Sequence, residues 1–186
     1  LSSIDVEVRG EIAAHDVTVL KLAALKGIFS RIVSEQVSYV NAPLMAEARG
    51  MEVTLTKDET SNDYRNLLTI RGVLADGSVV SASATLTGAK QTQKLVGING
   101  YEVEVPLASH HIVMMYEDRP GIVAVYGKAF GDASINIAGM QIARDTRGGQ
   151  ALSVLTVDSR VPDELLAEVA AAISATTMAP IDVIDL

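Results

Sequence analysis

The chain has 186 residues, 48% of them hydrophobic, enough for one medium domain or two small ones with a packed core. Its formal charge is -8, from 23 Asp and Glu against 15 Lys and Arg, which argues against general binding to nucleic acid or an anionic membrane. It contains no cysteine, so disulfides, thiol nucleophiles and Cys-bound zinc or iron–sulfur sites are excluded. No apolar run approaches the ~20 residues of a membrane span, and no signal-peptide pattern opens the chain. A cytoplasmic location is the expectation. The opening Leu-Ser-Ser lacks a methionine, which points to a piece of a longer polypeptide.

Residues 4–12 alternate apolar and polar and predict a half-buried strand. Over 18–33, Leu22, Leu25, Phe29 and Ile32 share one helical stripe. Asn41 is placed to cap a second helix, Pro43 is tolerated in its first turn, and Gly50 stands at its C′ position. Strand-like runs follow at 52–56, 64–74, 78–87, 91–98 and 101–107, with hairpin signals at Asp76-Gly77 and Asn99-Gly100. This half predicts a βαα segment feeding an antiparallel meander. Pro106 to His110 interrupts the pattern, giving a first domain over 1–107 and a second over 108–186.

The second half runs strand 110–116, helix 120–131, strand 134–144, turn 146–149, strand 150–158, helix 162–174 and strand 180–185. Ile122, Val125, Tyr126, Ala129 and Phe130 predict one buried helix face, and Leu166, Val169, Ala170 and Ile173 another. Pro120 fits a first helical turn, and Pro162 opens the last helix with Asp163 and Glu164 at its positive end. The order βαββαβ predicts a ferredoxin-like sandwich with both helices on one sheet face, the other face needing cover. The fold class expected is therefore α+β. Between the first strand and helix of this half, Tyr116-Glu117-Asp118-Arg119-Pro120-Gly121 forms a tight turn aimed at a helix start. Free N–H groups there suit a carboxylate.

Tyr116-x-Asp118-Arg119-Pro120-Gly121, followed by Asn136-Ile137, resembles an ACT domain, the small-ligand regulatory module of amino-acid metabolism. The first half resembles the intervening, or allosteric substrate-binding, domain of long-form bacterial D-3-phosphoglycerate dehydrogenases. The segments that carry this are Val6-x-Val8-x-Gly10-Glu11, Ala24-Leu25-x-Gly27-Ile28-Phe29, Val40-Asn41-Ala42-Pro43, Ala75-Asp76-Gly77-Ser78 and Gln93-Lys94-Leu95-Val96-x-Ile98-Asn99-Gly100. The resemblance implies that L-serine, the end product, binds between two chains and inhibits. Tyr116, Asp118 and the Gly121-Ile122 backbone would come from one chain, and Asn136 with Ile137 from its neighbour. Asp118 suits an ammonium, and Asn136 supplies both a donor and an acceptor. The plain alternatives are that Asp118 caps a helix, Asn136 satisfies a strand edge and Tyr116 is core. The resemblance also implies an anion or substrate site in the first domain, with Lys94 matching and Lys90, Arg65 or Arg9 as further cations. Tyr101 and Pro106 stand where some relatives carry arginines.

Catalysis by this chain alone is not expected. It lacks G-x-G-x-x-G, G-x-S-x-G and the P-loop. His15 lies in a loop, and the adjacent His110 and His111 would point to opposite sheet faces, so no metal site is expected. No cofactor is expected in this fragment, with NAD and the catalytic residues assigned to a preceding part of a dehydrogenase chain. Self-association as a dimer, with a tetramer as the larger option, is expected, and neither nucleic acid nor membrane is a partner. Two other readings stand beside this one: the regulatory part of an L-serine dehydratase, and an oligomerisation module without effector.

Overall fold

The structure is a computed structural model describing residues 1–183. The strand expected over 180–185 ends beyond the described residues. The chain divides into two compact units, Leu1–Gly100 and Tyr101–Leu186.

In the first unit, β1 (Ser3–Gly10) buries every second residue, Ile4, Val6 and Val8, as its alternation requires. These pack against Leu25 and Phe29 of α1 (Thr18–Phe29) and Ala42, Met45 and Ala46 of α2 (Asn41–Ala48). α1 ends four residues before the expected 33, so Ile32 lies past the helix and is exposed. Asn41 opens α2 without the expected capping bond. Its amide instead braces the preceding turn, accepting from the Ser38 N–H at 2.6 Å and donating to the Gln36 carbonyl at 2.9 Å. Gly50 follows with φ +62°, the left-handed conformation of a C′ glycine.

β2 (Glu52–Asp58) departs from the expected meander. It pairs parallel with β1, while β3 (Asn66–Val73) pairs antiparallel on β1's other side. With β4 (Val79–Thr87) and β5 (Thr92–Ile98) the order within this unit is β2-β1-β3-β4-β5. The α1–α2 segment is thus the crossover that a parallel pair demands. On the face away from the helices, Asp5, Glu7 and Arg9 of β1 meet Arg71 of β3 and Thr54 of β2. Arg71 Nη1 lies 3.0 Å and Arg9 Nε 2.8 Å from Glu7, and Thr54 donates to Asp5 at 2.5 Å. Asn99 and Gly100 take φ +49° and +84°, the paired positive angles of a tight hairpin turn.

The second unit begins with β6 (Tyr101–Pro106) and continues as β7 (His110–Glu117), α3 (Ile122–Asp132), β8 (Ile137–Arg144), β9 (Gln150–Val157), α4 (Asp163–Ile173) and β10 (Thr177–Asp182). The last four strands form an antiparallel sheet ordered β10-β7-β9-β8, the ferredoxin-like arrangement expected from the βαββαβ order. Ile112, Met114 and Tyr116 of β7 and Ala151, Leu155 and Val157 of β9 form the core with Ile122, Tyr126 and Phe130 of α3 and Leu166, Val169 and Ile173 of α4. Val125, expected on the buried face of α3, is exposed. Pro120 lies before the helix, because Gly121, at φ +93°, turns the chain and α3 starts at Ile122. On the opposite sheet face Val113, Leu152 and Val154 are buried. β6 packs beside β8 there, and Gln141 Oε1 accepts the Glu104 N–H at 2.8 Å.

His111 is buried on that same face, where burial pushes its pKa down. The neutral ring accepts the Ala108 N–H through Nε2 at 2.9 Å, leaving Nδ1, 3.2 Å from Thr156 Oγ1, to donate. Among the described residues no helix is long and apolar enough to cross a membrane.

Candidate functional site

The turn Glu117 to Gly121 connects β7 to α3. Asp118 is fixed at its base, its N–H donating to the Gly149 carbonyl at 2.8 Å. Its carboxylate does not cap α3, whose start carries no side-chain cap. Instead Oδ2 takes a hydrogen bond from Arg144 Nη1 at 3.1 Å, with the Gly148 N–H at 3.4 Å. The Arg144 guanidinium, and after it the Gly148 amide, hold the Asp118 carboxyl below the usual carboxylate range. Asp118 is therefore an anion at neutral pH beside an uncapped helix start, with Gly121 in the left-handed conformation and Ile122 buried as the first anchor of α3.

Tyr116 alternates inward on β7 and is buried, its hydroxyl 2.5 Å from that of Ser153 on β9. Beside them lies Tyr126, whose hydroxyl donates to Met140 Sδ of β8 at 3.0 Å. Burial, the largest influence, pushes the Tyr126 phenol up to about 12. Tyr116 thus stands in the core, as its plain alternative had it. We expect Tyr116→Phe to lower stability by about 1 kcal/mol, because the buried Tyr116–Ser153 hydrogen bond is lost while Tyr126 still reaches Ser153. A urea unfolding midpoint equal to the parent's would refute this role for the hydroxyl pair.

Asn136 precedes β8 and is exposed, with Ile137 half-buried behind it. Its Nδ2 donates to Asp158 Oδ2 at 2.8 Å, and its carbonyl accepts the Asp158 N–H at 3.2 Å. Asp118 and Asn136 lie near opposite ends of β8, because Asp118 is tied to Arg144 at the strand's end. Seven residues at ~3.3 Å each separate Ile137 from Arg144, roughly 23 Å. One chain does not bring the two polar residues together.

β8 is an edge strand, and from Ile137 to Ala143 it carries no charge and no proline. Met140 and Ile142 on it are 49% and 41% exposed, and Val123 and Val125 of α3 are exposed as well. Arg144, the strand's terminal charge, was missed in the sequence. Its one legible signal is the period-2 row Met140, Ile142, Arg144, which aims the guanidinium to the side where the Asp118 turn leaves the sheet.

In the first unit Lys94 on β5 pairs in register with Thr85 on β4, whose hydroxyl donates to the Asn66 carbonyl at 2.5 Å. Arg65 precedes Asn66, and Lys90 is exposed in the β4–β5 turn, so all three cations gather at one end of the sheet. Arg65, however, is ion-paired with Glu11 at 2.7 Å, which offsets its charge toward an anion.

The family model for the D-3-phosphoglycerate dehydrogenase intervening domain matches residues 1–99. The chain belongs to that family. The model of the ACT domain matches residues 110–174, the β7–α4 portion just described. The chain is 39% identical over 180 residues to D-3-phosphoglycerate dehydrogenase of Mycobacterium bovis, covering 97% of this chain and 34% of that protein. The corresponding enzyme of Mycobacterium leprae is 37% identical over 95% of the chain and 34% of its own length. That of Synechocystis is 32% identical over 81% of the chain and 27% of its length. The chain thus spans about a third of the curated relatives it matches, and corresponds to their intervening and ACT portion.

Proposed function

We propose that this chain is the allosteric regulatory portion of an NAD-dependent D-3-phosphoglycerate dehydrogenase of the cytoplasm. Its ACT domain would bind L-serine at a dimer interface as feedback inhibitor. Catalysis and the nicotinamide site fall to the remainder of such an enzyme, and no cofactor is assigned to these residues. The observation that carries the reading is the placement of polar groups at the two ends of an unguarded edge strand. Two copies of β8 paired antiparallel about a two-fold axis bring the start of one strand opposite the end of the other. Asn136 of one copy then approaches Asp118 and the uncapped start of α3 in its partner. Uncharged Gly139 to Ala143 and the exposed Met140 and Ile142 favour that pairing. Tyr116 contributes as the rigid floor under the turn through its bond to Ser153.

Serine can move the enzyme between two states only as far as its affinities for them differ. Calorimetric titration of the dimeric chain tests the reading. L-Serine should give heat saturating near one ligand per chain or fewer, and D-serine and Asn136→Ala should abolish it. A dimer that shows no heat with L-serine removes the effector claim. The first-domain cations Lys94, Lys90 and Arg65 are a weaker proposal for an anion or substrate site, since Glu11 already engages Arg65.

A further inference from the structure

Arg144 has no part in the serine site as the resemblance implies it, yet it is the residue that holds Asp118 in this structure. The pair is open and incomplete. Arg144 is 59% and Asp118 25% exposed in their side chains, and a single guanidinium nitrogen reaches a single carboxylate oxygen. A guanidinium has five N–H donors in a planar fork that matches a carboxylate edge-on, so this contact uses a small part of its capacity. Exposed ion pairs of this kind contribute little to stability, so separating them costs the fold little. A free α-amino acid carries the same two charges with the opposite polarity, on groups joined through a single carbon. Such a zwitterion can satisfy both partners at once.

Two further features lie beside the pair. The first turn of α3, which follows Asp118 after three residues, has no side-chain cap, leaving N–H groups that favour an anion. Arg144 is also the only charged residue of β8, at the end where a two-fold pairing places the partner's strand start. We propose that Arg144 is the carboxylate-binding residue of the effector site. An α-amino acid inserts into the Asp118–Arg144 pair, its ammonium on Asp118 and its carboxylate on Arg144. In the empty site Arg144 is the resident counter-ion of Asp118. The inference rests on the effector reading above and deepens it, assigning the head-group specificity to a residue of this chain.

The competing role is that Arg144 only guards an otherwise uncharged strand edge against aggregation. Titration of the dimeric chain with L-serine and with L-serinamide, which keeps the ammonium and lacks the carboxylate, separates the two. The parent chain should prefer serine over serinamide by about tenfold or more. Arg144→Gln should lose at least that factor for serine while leaving serinamide binding nearly unchanged, so the preference collapses. Arg144→Lys, which restores a point charge without the fork, should fall between them. Thermal melts of the variants should match the parent, since the pair is exposed. Unchanged serine affinity and preference in Arg144→Gln overturns the assignment while leaving the effector site standing. Tighter serine binding in that variant also overturns it, by making Arg144 a competitor rather than a ligand. Absence of serine binding in the parent dimer removes the effector reading and this inference together.

Discussion

Replacing Gly10 by alanine is expected to destabilise the first unit by about 3 kcal/mol or more, among the largest effects of any single methyl group in the chain. Gly10 ends β1 at φ +95° and ψ -165°, an essentially glycine-only region where any L side chain is strained by about 1–3 kcal/mol. It is also where the chain leaves the sheet against the start of β3. The Glu11 N–H bonds the Arg65 carbonyl at 3.3 Å, and the Ile12 N–H bonds Asn66 Oδ1 at 2.8 Å. A Cβ on Gly10 would sit inside the van der Waals shell of the Arg65 carbonyl oxygen, so backbone rather than a flexible side chain must yield. Gly50 is the control. It too has positive φ, but nothing lies within 4 Å of its Cβ position, so Gly50→Ala should cost only the backbone strain, about 1 kcal/mol. Thermal melts of the two variants decide the matter. Equal shifts in both would mean that the close approach to Arg65 contributes nothing.

Phe130→Ala should cost about 3–5 kcal/mol. Phe130 is fully buried at the C-terminal half of α3, its ring 6.4 Å from that of Tyr126 and tilted by 39°. The chain has only two Phe and no Trp, so this ring fills volume that no neighbour can replace. Its loss should also loosen the hold of α3 on the sheet, and with it the turn carrying Asp118 and Gly121. Hydrogen exchange over α3 and β7 is the readout. Exchange there should speed up by orders of magnitude, and protection equal to the parent's would show that α3 docks without this anchor.

Local geometry was legible in the sequence where a residue type has a narrow backbone preference. Asn99-Gly100 and Gly50 adopted the positive φ angles their types announced. Partner choice was less legible. The alternation of β2 marks a strand, yet it fits parallel pairing with β1 as well as a place in a meander. The last strand was expected from residue 180, three residues later than it begins. β10 begins at Thr177 because an edge strand tolerates a proline without a ladder N–H. Pro120 suggested a helix start that Gly121 delays.

At the site, the residue types of the turn and of Asn136 were readable, but their neighbours were not. That Tyr116 meets Ser153 and Asp118 meets Arg144 follows from the registers of β7, β9 and β8, which no local pattern encodes. Arg144 escaped notice for that reason.

The parallel pairing of β1 with β2 also has an entropic side. About 40 residues separate these strands, whereas β3 and β4 are joined by five. Closing the longer loop costs about 2 kcal/mol more in chain entropy than closing the hairpin. Burial of Ile4, Val6 and Val8 against Leu25, Phe29 and Met45 offsets it, so the helices that cover this sheet also hold its edge strand β2 in place.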